Sequence, residues 1–327
     1  MTGQSQIDDI DDCIYVVSCI DDNYAQHLAV TYVSLLENLK GRRVKFFVVA
    51  DNLSLANKEK LVASVEKYDV EVDFLSGDYS QFDKQQMVGH ISRASYLRLL
   101  LAQLLPGHVH KVLYLDSDVV IEGDIATLWN VDISEYGLAA VIDHELDDRL
   151  EILTGDANGG YFNSGVLLMN LDRWRDDGVS SAVSDCLRSH ASQLLYADQD
   201  VLNIVFRDRW LPLDFKWNYL YGMNSEPGGA EGNSSPEIIH FAGPYKPWRA
   251  LRYHPMRERY YHYLELTEWR GYCPQLKLED FRDFIKIQSK KLFPSGYAFA
   301  KKILVNERFW GSPVSRWLCR ILDIRRL

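Results

Sequence analysis

No stretch of this chain is apolar for the roughly 20 residues that a membrane-crossing helix needs, so nothing in it reads as a spanning segment. The first twelve residues are polar and carry Asp8, Asp9, Asp11 and Asp12, so no signal peptide is visible. Cysteine is scarce and scattered: Cys13, Cys19, Cys186, Cys273 and Cys319 are odd in number and form no Cys-x-x-Cys pair. That pattern excludes a disulfide framework and a zinc cluster, and suits reduced thiols in the cytoplasm. Positive charge is short as well, with 36 Lys and Arg against 46 Asp and Glu. A net charge of −10 argues against nucleic acid as a partner.

The charge is unevenly placed. Residues 281–327 hold eleven Lys and Arg against Asp283, Glu307 and Asp323, which leaves −18 on residues 1–280. The same tail carries Phe281, Phe284, Phe293, Tyr297, Phe299, Phe309, Trp310 and Trp317. Cations interleaved with large aromatics suit the headgroup zone of an anionic leaflet. We therefore divide the chain into an acidic lead (1–12), a body (13–255) and a basic, aromatic, helical region (256–327) expected to associate with a membrane surface.

What is present in the body is alternation. Apolar runs at Ile14–Ile20, Val44–Ala50, Val70–Leu75 and Val112–Leu115 read as strands. Helical spacing follows at Leu28–Leu39, Ser54–Lys67 and Arg93–Leu105, the last stopped by Pro106-Gly107. Later, Leu138–Asp143 and Val166–Met169 read as strands, and Leu171–His190 and Asp198–Phe206 as helices; Ser225–Pro236 reads as a loop. Strands alternating with helices predict an α/β protein, a Rossmann-like and mostly parallel sheet with helices on both faces. Ligands of such sheets bind outside the carboxyl ends of the strands.

One such end is chemically distinctive. Val112-Leu113-Tyr114-Leu115 leaves the core as Asp116-Ser117-Asp118. Two carboxylates one residue apart can aim at one point, and they repel each other unless a cation lies between them. Hard oxygen ligands with other positions open suit Mg²⁺ or Mn²⁺ shared with a phosphate, which points to nucleotide-diphosphate chemistry.

Five segments together carry a family resemblance. Ser18–Tyr24, Lys111–Asp118, Tyr161–Asn170, Asp198–Asn203 and His240–Trp248 resemble the motifs of family 8 retaining glycosyltransferases, especially those acting on bacterial lipopolysaccharide and lipooligosaccharide. The resemblance spans about residues 13–250. It implies the GT-A fold for the body, a UDP-hexose donor (glucose or galactose), a glycan or glycolipid acceptor, and Mn²⁺ as cofactor with Mg²⁺ as second choice. It implies further that Asp116, Asp118 and His240 hold the metal, and that Gly243 and Lys246 face the diphosphate. Cys19, Asp21, Asn23 and Tyr24 would lie at the base and ribose, and Ser92, Arg98 and Ser117 would line the donor site. Asn163, Asp198 and Gln199 would surround the transferred sugar, with Gln199 nearest its reacting face and Asp198 beside it. Asp143 would hold an acceptor hydroxyl. Asp200 reads as a helix-turn residue and, second, as a nucleophile. His144–Asp156 matches nothing assignable, so the acceptor stays open. With the basic tail, the expected location is the cytoplasmic face of the plasma membrane. A self-glucosylating glycan starter of the glycogenin type, a nucleotidyltransferase and a non-catalytic membrane scaffold stand as alternatives.

Overall fold

The computed structural model describes residues 13–77, 93–146, 148–156, 159–221, 235–243, 246–249 and 254–274. The acidic lead, Ser92, most of the Ser225–Pro236 loop and the basic region 281–327 lie outside the described residues. The chain divides into two compact units. Of the described residues, the first comprises those from Cys13 to Phe241 together with Arg259–Arg270, and the second comprises those of Ala242–Glu258 and Gly271–Pro274.

The first unit is built on a seven-stranded sheet. Its strands are β1 (Cys13–Asp21), β2 (Arg43–Asp51), β3 (Glu71–Leu75), β4 (Lys111–Leu115), β6 (Leu138–Ala140), β7 (Val166–Asn170) and β8 (Trp210–Pro212), in the order β3-β2-β1-β4-β7-β6-β8. A three-stranded sheet has the order β5-β10-β9, from β5 (Val119–Ile121), β9 (Tyr219–Leu220) and β10 (Ile238–His240). The helices are α1 (Ala25–Asn38), α2 (Leu55–Val65), α3 (Arg93–Tyr96), α4 (Leu101–Leu104), α5 (Ala126–Trp129), α6 (Arg149–Thr154), α7 (Leu171–Asp176), α8 (Val179–Ser189), α9 (Ala197–Val205) and α10 (Arg257–Leu264). This is the mostly parallel α/β architecture of the GT-A fold.

Strand alternation explains how both faces are covered. Successive side chains point to opposite faces, and the middle of β1 is buried throughout, as expected of a strand covered on both sides. Val17, Phe47, Tyr114 and Leu138 join one core with Leu97, Leu101, Trp174, Val183, Leu187, Val201 and Leu202 from the later helices. On the other face Phe46 stacks against Tyr32 of α1, with ring centroids 3.9 Å apart. The segment Arg259–Arg270 docks against α1 and α2. Tyr260 Oη bonds Gln26 and His27, Tyr263 Oη accepts from Asn38, and Ser64 Oγ accepts from Glu268 N.

Three expectations are corrected. Leu171–His190 is not one helix: it breaks between α7 and α8, where Gly178 takes φ +64°, a conformation that costs glycine little. Arg93–Leu105 contains a 3-10 turn, Leu97–Leu100, between α3 and α4. Leu138–Asp143 is a strand only to Ala140. The one reversal inside the main sheet matters most for function. β7 runs antiparallel to β4, with Leu115 opposite Val166. The segment entering β7 therefore arrives at the edge where β1 and β4 end.

Candidate active site

The turn Asp116–Asp118 joins β4 to β5, and it is held from two sides. Thr31 Oγ1 of α1 bonds the carbonyls of Ser117 and Val119 at 3.1 and 2.8 Å. Phe241 N donates to Asp118 O at 2.9 Å, extending the antiparallel pairing that sets His240 opposite Val119. Pairing of β10 with β5 thus delivers the imidazole to the aspartates. His240 Nε2 lies 3.3 Å from Asp118 Oδ1 and 3.8 Å from Asp116 Oδ2. One ligand atom from each of the three residues falls within 4.8 Å of the others.

This set fits a divalent cation. Two carboxylates and one imidazole converge, an N/O donor set that suits a divalent cation. Gly165 keeps the space clear: a Cβ there would sit 2.2 Å from His240 Cε1 and 2.9 Å from Asp116 Oδ2. Its carbonyl accepts from Asp116 N at 2.8 Å, so the backbone passes directly under the cluster.

Arg98 is the strut of the site. It is buried, and it donates from Nη2 to Asp116 Oδ1 at 2.8 Å, from Nη1 to Ser164 O at 2.7 Å, and pairs through Nε with Asp198 Oδ2 at 3.0 Å. Its guanidinium lies 4.5 Å from the Tyr114 ring centroid, and Tyr114 Oη donates to Asp116 Oδ1 at 2.7 Å. Asp116 therefore has one oxygen tied to protein donors and the other turned toward His240. Burial works against the charge on Arg98, but the Asp116 and Asp198 carboxylates outweigh it and raise its pKa above the ordinary arginine value. Arg98 is committed to these protein groups rather than extended as a fork toward a ligand.

Helix α9 opens with the second half of the site. Ala197 takes φ +48°, costly for a residue with a Cβ, immediately before Asp198, Gln199 and Asp200. Burial pushes the Asp198 carboxyl up to about 6 against the pull of Arg98, and Ser164 Oγ donates to it at 3.1 Å. Gln199 Oε1 accepts from Ser164 N at 3.0 Å, while its Nε2 donates to Asp143 Oδ2 at 3.3 Å. Asn203 brackets Phe162, accepting from its N–H and donating to its carbonyl. The Phe162–Gly165 segment is thereby fastened to α9 on one side and to the aspartate turn on the other. Asn163 Nδ2 also reaches Asp143 Oδ2, at 3.4 Å. Asp143 is buried, burial raises its pKa, and its Oδ1 has no hydrogen-bond partner.

Asp200 has no such opening. It is fully buried and accepts from Arg149 Nε at 3.0 Å, Arg149 Nη2 at 2.7 Å, Tyr161 Oη at 2.7 Å and Tyr196 N at 2.9 Å. A carboxylate with its lone pairs so occupied is structural, which removes it as a nucleophile.

Comparison with known proteins gives the family of the chain. The family model for Glycosyl transferase family 8 matches residues 15–252. The chain belongs to that family. General stress protein A of Bacillus subtilis (strain 168) is 33% identical over 273 residues, 79% of this chain and 96% of that protein. The lipopolysaccharide 1,2-glucosyltransferase of Escherichia coli (strain K12) is 27% identical over 274 residues, 81% of each chain. Among solved structures, the galactosyltransferase LgtC in complex with donor and acceptor sugar analogues superposes with a TM-score of 0.72 at 24% identity, covering 81% of this chain and 98% of that one. That likeness establishes the shared fold.

For this family 8 glycosyltransferase, the sheet edge brings together Asp116, Ser117, Asp118, Asn163, Asp198, Gln199 and His240, with Asp143 bonded to Asn163 and Gln199. The first turn lies at the end of the neighbouring strand β1. Asp21 Oδ1 accepts from Asn23 N at 2.9 Å as a cap, and Tyr24 packs edge-on against His27. Asp22, given no role from sequence, ties this turn to α2 through Ser54 N and Asn57 Nδ2. Burial pushes the Cys19 thiol up, so it is a neutral core group at the strand end. Gly243 and Lys246 belong to the second unit, where Gly243 takes φ +67° and Lys246 Nζ lies 5.7 Å from the Trp248 ring centroid. Ser92 lies outside the described residues.

Sequence reasoning missed Tyr114, Ser164 and Asn218. Tyr114 shares the parity of Asp116 along the chain, a signal available in the sequence. Asn218 had none: it is fully buried, and it bonds His240 Nδ1 at 2.8 Å.

Proposed function

We propose that this chain is a retaining, metal-dependent α-glycosyltransferase that moves a hexose, glucose or galactose, from a UDP-sugar to a lipid-linked cell-surface glycan such as lipopolysaccharide core. The observation that carries this reading is the convergence of Asp116, Asp118 and His240 on one centre, at the same sheet edge as Asn163, Asp198 and Gln199. Mn²⁺, with Mg²⁺ second, is the cation those three would hold. When bound, it supplies charge stabilisation to the departing diphosphate.

The chain's own residues suit a same-face substitution. In that reaction the bond between the anomeric carbon and the diphosphate oxygen breaks, the acceptor oxygen bonds the same carbon, and the acceptor proton passes to the departing phosphate. Retention through a covalent intermediate would need a carboxylate at the reacting face. Gln199 offers an amide, Asp198 is paired with Arg98, and Asp200 is enclosed by Arg149 and Tyr161. In our reading Gln199 and Asp198 position the sugar and stabilise developing positive charge. Asn163 contacts the sugar, and Asp143 presents its unpartnered Oδ1 to an acceptor hydroxyl. Asp21, Asn23 and Tyr24, with Cys19 behind them, take the nucleoside; Ser92 and Ser117 line the donor site; Gly243 and Lys246 serve the diphosphate.

The lipid-linked acceptor is supported by the lipopolysaccharide-directed relative and by the basic aromatic composition of residues 281–327. No helix among the described residues is long and apolar enough to cross a membrane. In our reading the tail holds the enzyme at the inner face of the plasma membrane. Binding to anionic vesicles by the full chain, lost on removal of 281–327, is the expected result.

The deciding experiment is UDP release from purified protein given UDP-glucose or UDP-galactose, with Mn²⁺ or with EDTA. Mn²⁺-dependent release from one donor is expected. Equal release in EDTA would defeat the metal assignment.

A further inference from the structure

We infer that Asn218 is a positioning residue that sets the tautomer of His240 and thereby turns Nε2 toward the cation. The purpose of this device rests on the metal reading above; its geometry does not.

The argument begins at a group whose polarity is fixed. The backbone N–H of Gly165 can only donate, and it lies 2.9 Å from Asn163 Oδ1, so that atom is the carbonyl oxygen. Asn163 Nδ2 accordingly faces the acceptor Asp143 Oδ2. Asn163 Oδ1 takes a second bond from Asn218 at 2.9 Å, which must come from the amide nitrogen of Asn218. The carbonyl oxygen of Asn218 is then the atom 2.8 Å from His240 Nδ1. A carbonyl only accepts, so Nδ1 carries the proton. In the neutral ring, His240 Nε2 then carries the lone pair beside Asp116 Oδ2 and Asp118 Oδ1.

The opposite tautomer would aim an N–H into the centre and set a lone pair against the Asn218 oxygen. Nor can the amide turn over freely. Asn218 is fully buried between the 3-10 turn Phe215–Trp217 and β9, whose parallel pairing sets Leu220 beside His240. One backbone N–H thus orders two amides and one imidazole in series. The same series joins the metal ligand to Asn163, the residue expected at the transferred sugar. Side chains that fix the free nitrogen of a metal-binding histidine recur in metal sites, and their loss weakens metal affinity by about 10–100-fold.

The test reads the tautomer directly. In metal-free, 15N-histidine-labelled protein at a pH where the ring is neutral, long-range 1H–15N correlations should show His240 protonated at Nδ1 alone, assigned by comparison with His240→Ala. Asn218→Ala should lose that single form, and should bind Mn²⁺ about 10–100-fold more weakly in an EPR titration with UDP present. Asn218→Asp keeps an acceptor for Nδ1–H while losing the donor to Asn163, so it should retain the tautomer and recover most of the affinity. A neutral wild-type ring protonated at Nε2 rather than Nδ1 overturns the proposal. So does an Asn218→Ala protein with unchanged tautomer and affinity. If that variant does not fold, the wild-type spectrum and Asn218→Asp decide the matter. A wild type that holds Nδ1–H yet takes up no Mn²⁺ overturns the metal reading alone.

Discussion

Two carboxylate clusters of similar composition, one around Asp200 in α9 and one around Asp116 after β4, are built on opposite plans. Around Asp200, one guanidinium, one phenol and one backbone N–H are spent on a single carboxylate that no solvent reaches. Around Asp116 the same ingredients appear, a guanidinium from Arg98 and a phenol from Tyr114, but both go to Oδ1. Oδ2 is turned toward His240 and the neighbouring Asp118. The first cluster closes on itself. The second spends its donors to fix the direction of what it leaves open. Burial and charge are common to both, so neither marks function; the direction in which the ligand atoms converge does.

The strongest way to break this contrast is to remove one acid from each cluster. Asp118→Ala should lower Mn²⁺-dependent UDP release by about 10²–10³-fold or more while the urea midpoint stays near wild type. Wild-type turnover in that variant would end the metal assignment. Asp200→Ala strands the buried Arg149 guanidinium and should cost about 3–5 kcal/mol of stability, read by urea denaturation, with Mn²⁺ affinity preserved. Should Asp200→Ala lose metal binding while staying fully stable, the closed cluster would have been misread.

A pH titration sharpens the contrast at the residue between them. Asp198 has its carboxyl pushed up to about 6 by burial, above the usual 3.8. The native state therefore binds this proton more tightly than the unfolded chain between about pH 4 and 6, so this group's contribution to stability falls as pH rises through that window. Pairing with Arg98 needs the ionised form, so turnover should rise over the same window. Stability and activity should thus move in opposite directions, and Asp198→Asn should flatten the stability difference between pH 4.5 and 7. Parallel movement of the two in the wild type would contradict the assignment.

The smallest effects come from a matched pair. Tyr114→Phe and Tyr161→Phe each delete one hydroxyl bonded at 2.7 Å to a carboxylate. Each should cost about 1.5–3 kcal/mol of stability. Only Tyr114→Phe should also weaken Mn²⁺ binding, by several-fold. Equal weakening in both would mean that the clusters act as one unit.

The parallel half of the fold was legible because its strands are continuous apolar runs ended by polar turns. β1, β2 and β4 each fall within a residue of the expected bounds. The paired aspartates were legible for the same reason, since they interrupt such a run. The three-stranded sheet was not. Its strands are two or three residues long, too short for periodicity to register, and yet they bring His240 to Asp118. Arg98 was expected as a fork toward the donor, whereas its guanidinium binds Asp116, Ser164 and Asp198, partners that depend on the antiparallel pairing of β7 with β4, which composition does not encode. Asn218 lies beyond sequence reasoning altogether, because its role depends on the amide of a residue 55 positions away.

That same short pairing of β10 with β5 has a consequence for how the enzyme is made. The aspartates leave the ribosome roughly 120 residues before the histidine that completes their set. A nascent chain therefore holds β1 to β4 and their helices while the third ligand is still unsynthesised. Closing so long a loop places this contact among the non-local ones that form late. A chain cut short before β10 would keep the strands of the large sheet and have an incomplete ligand set. On the proposed metal reading, the ligand set is complete only once synthesis has passed His240.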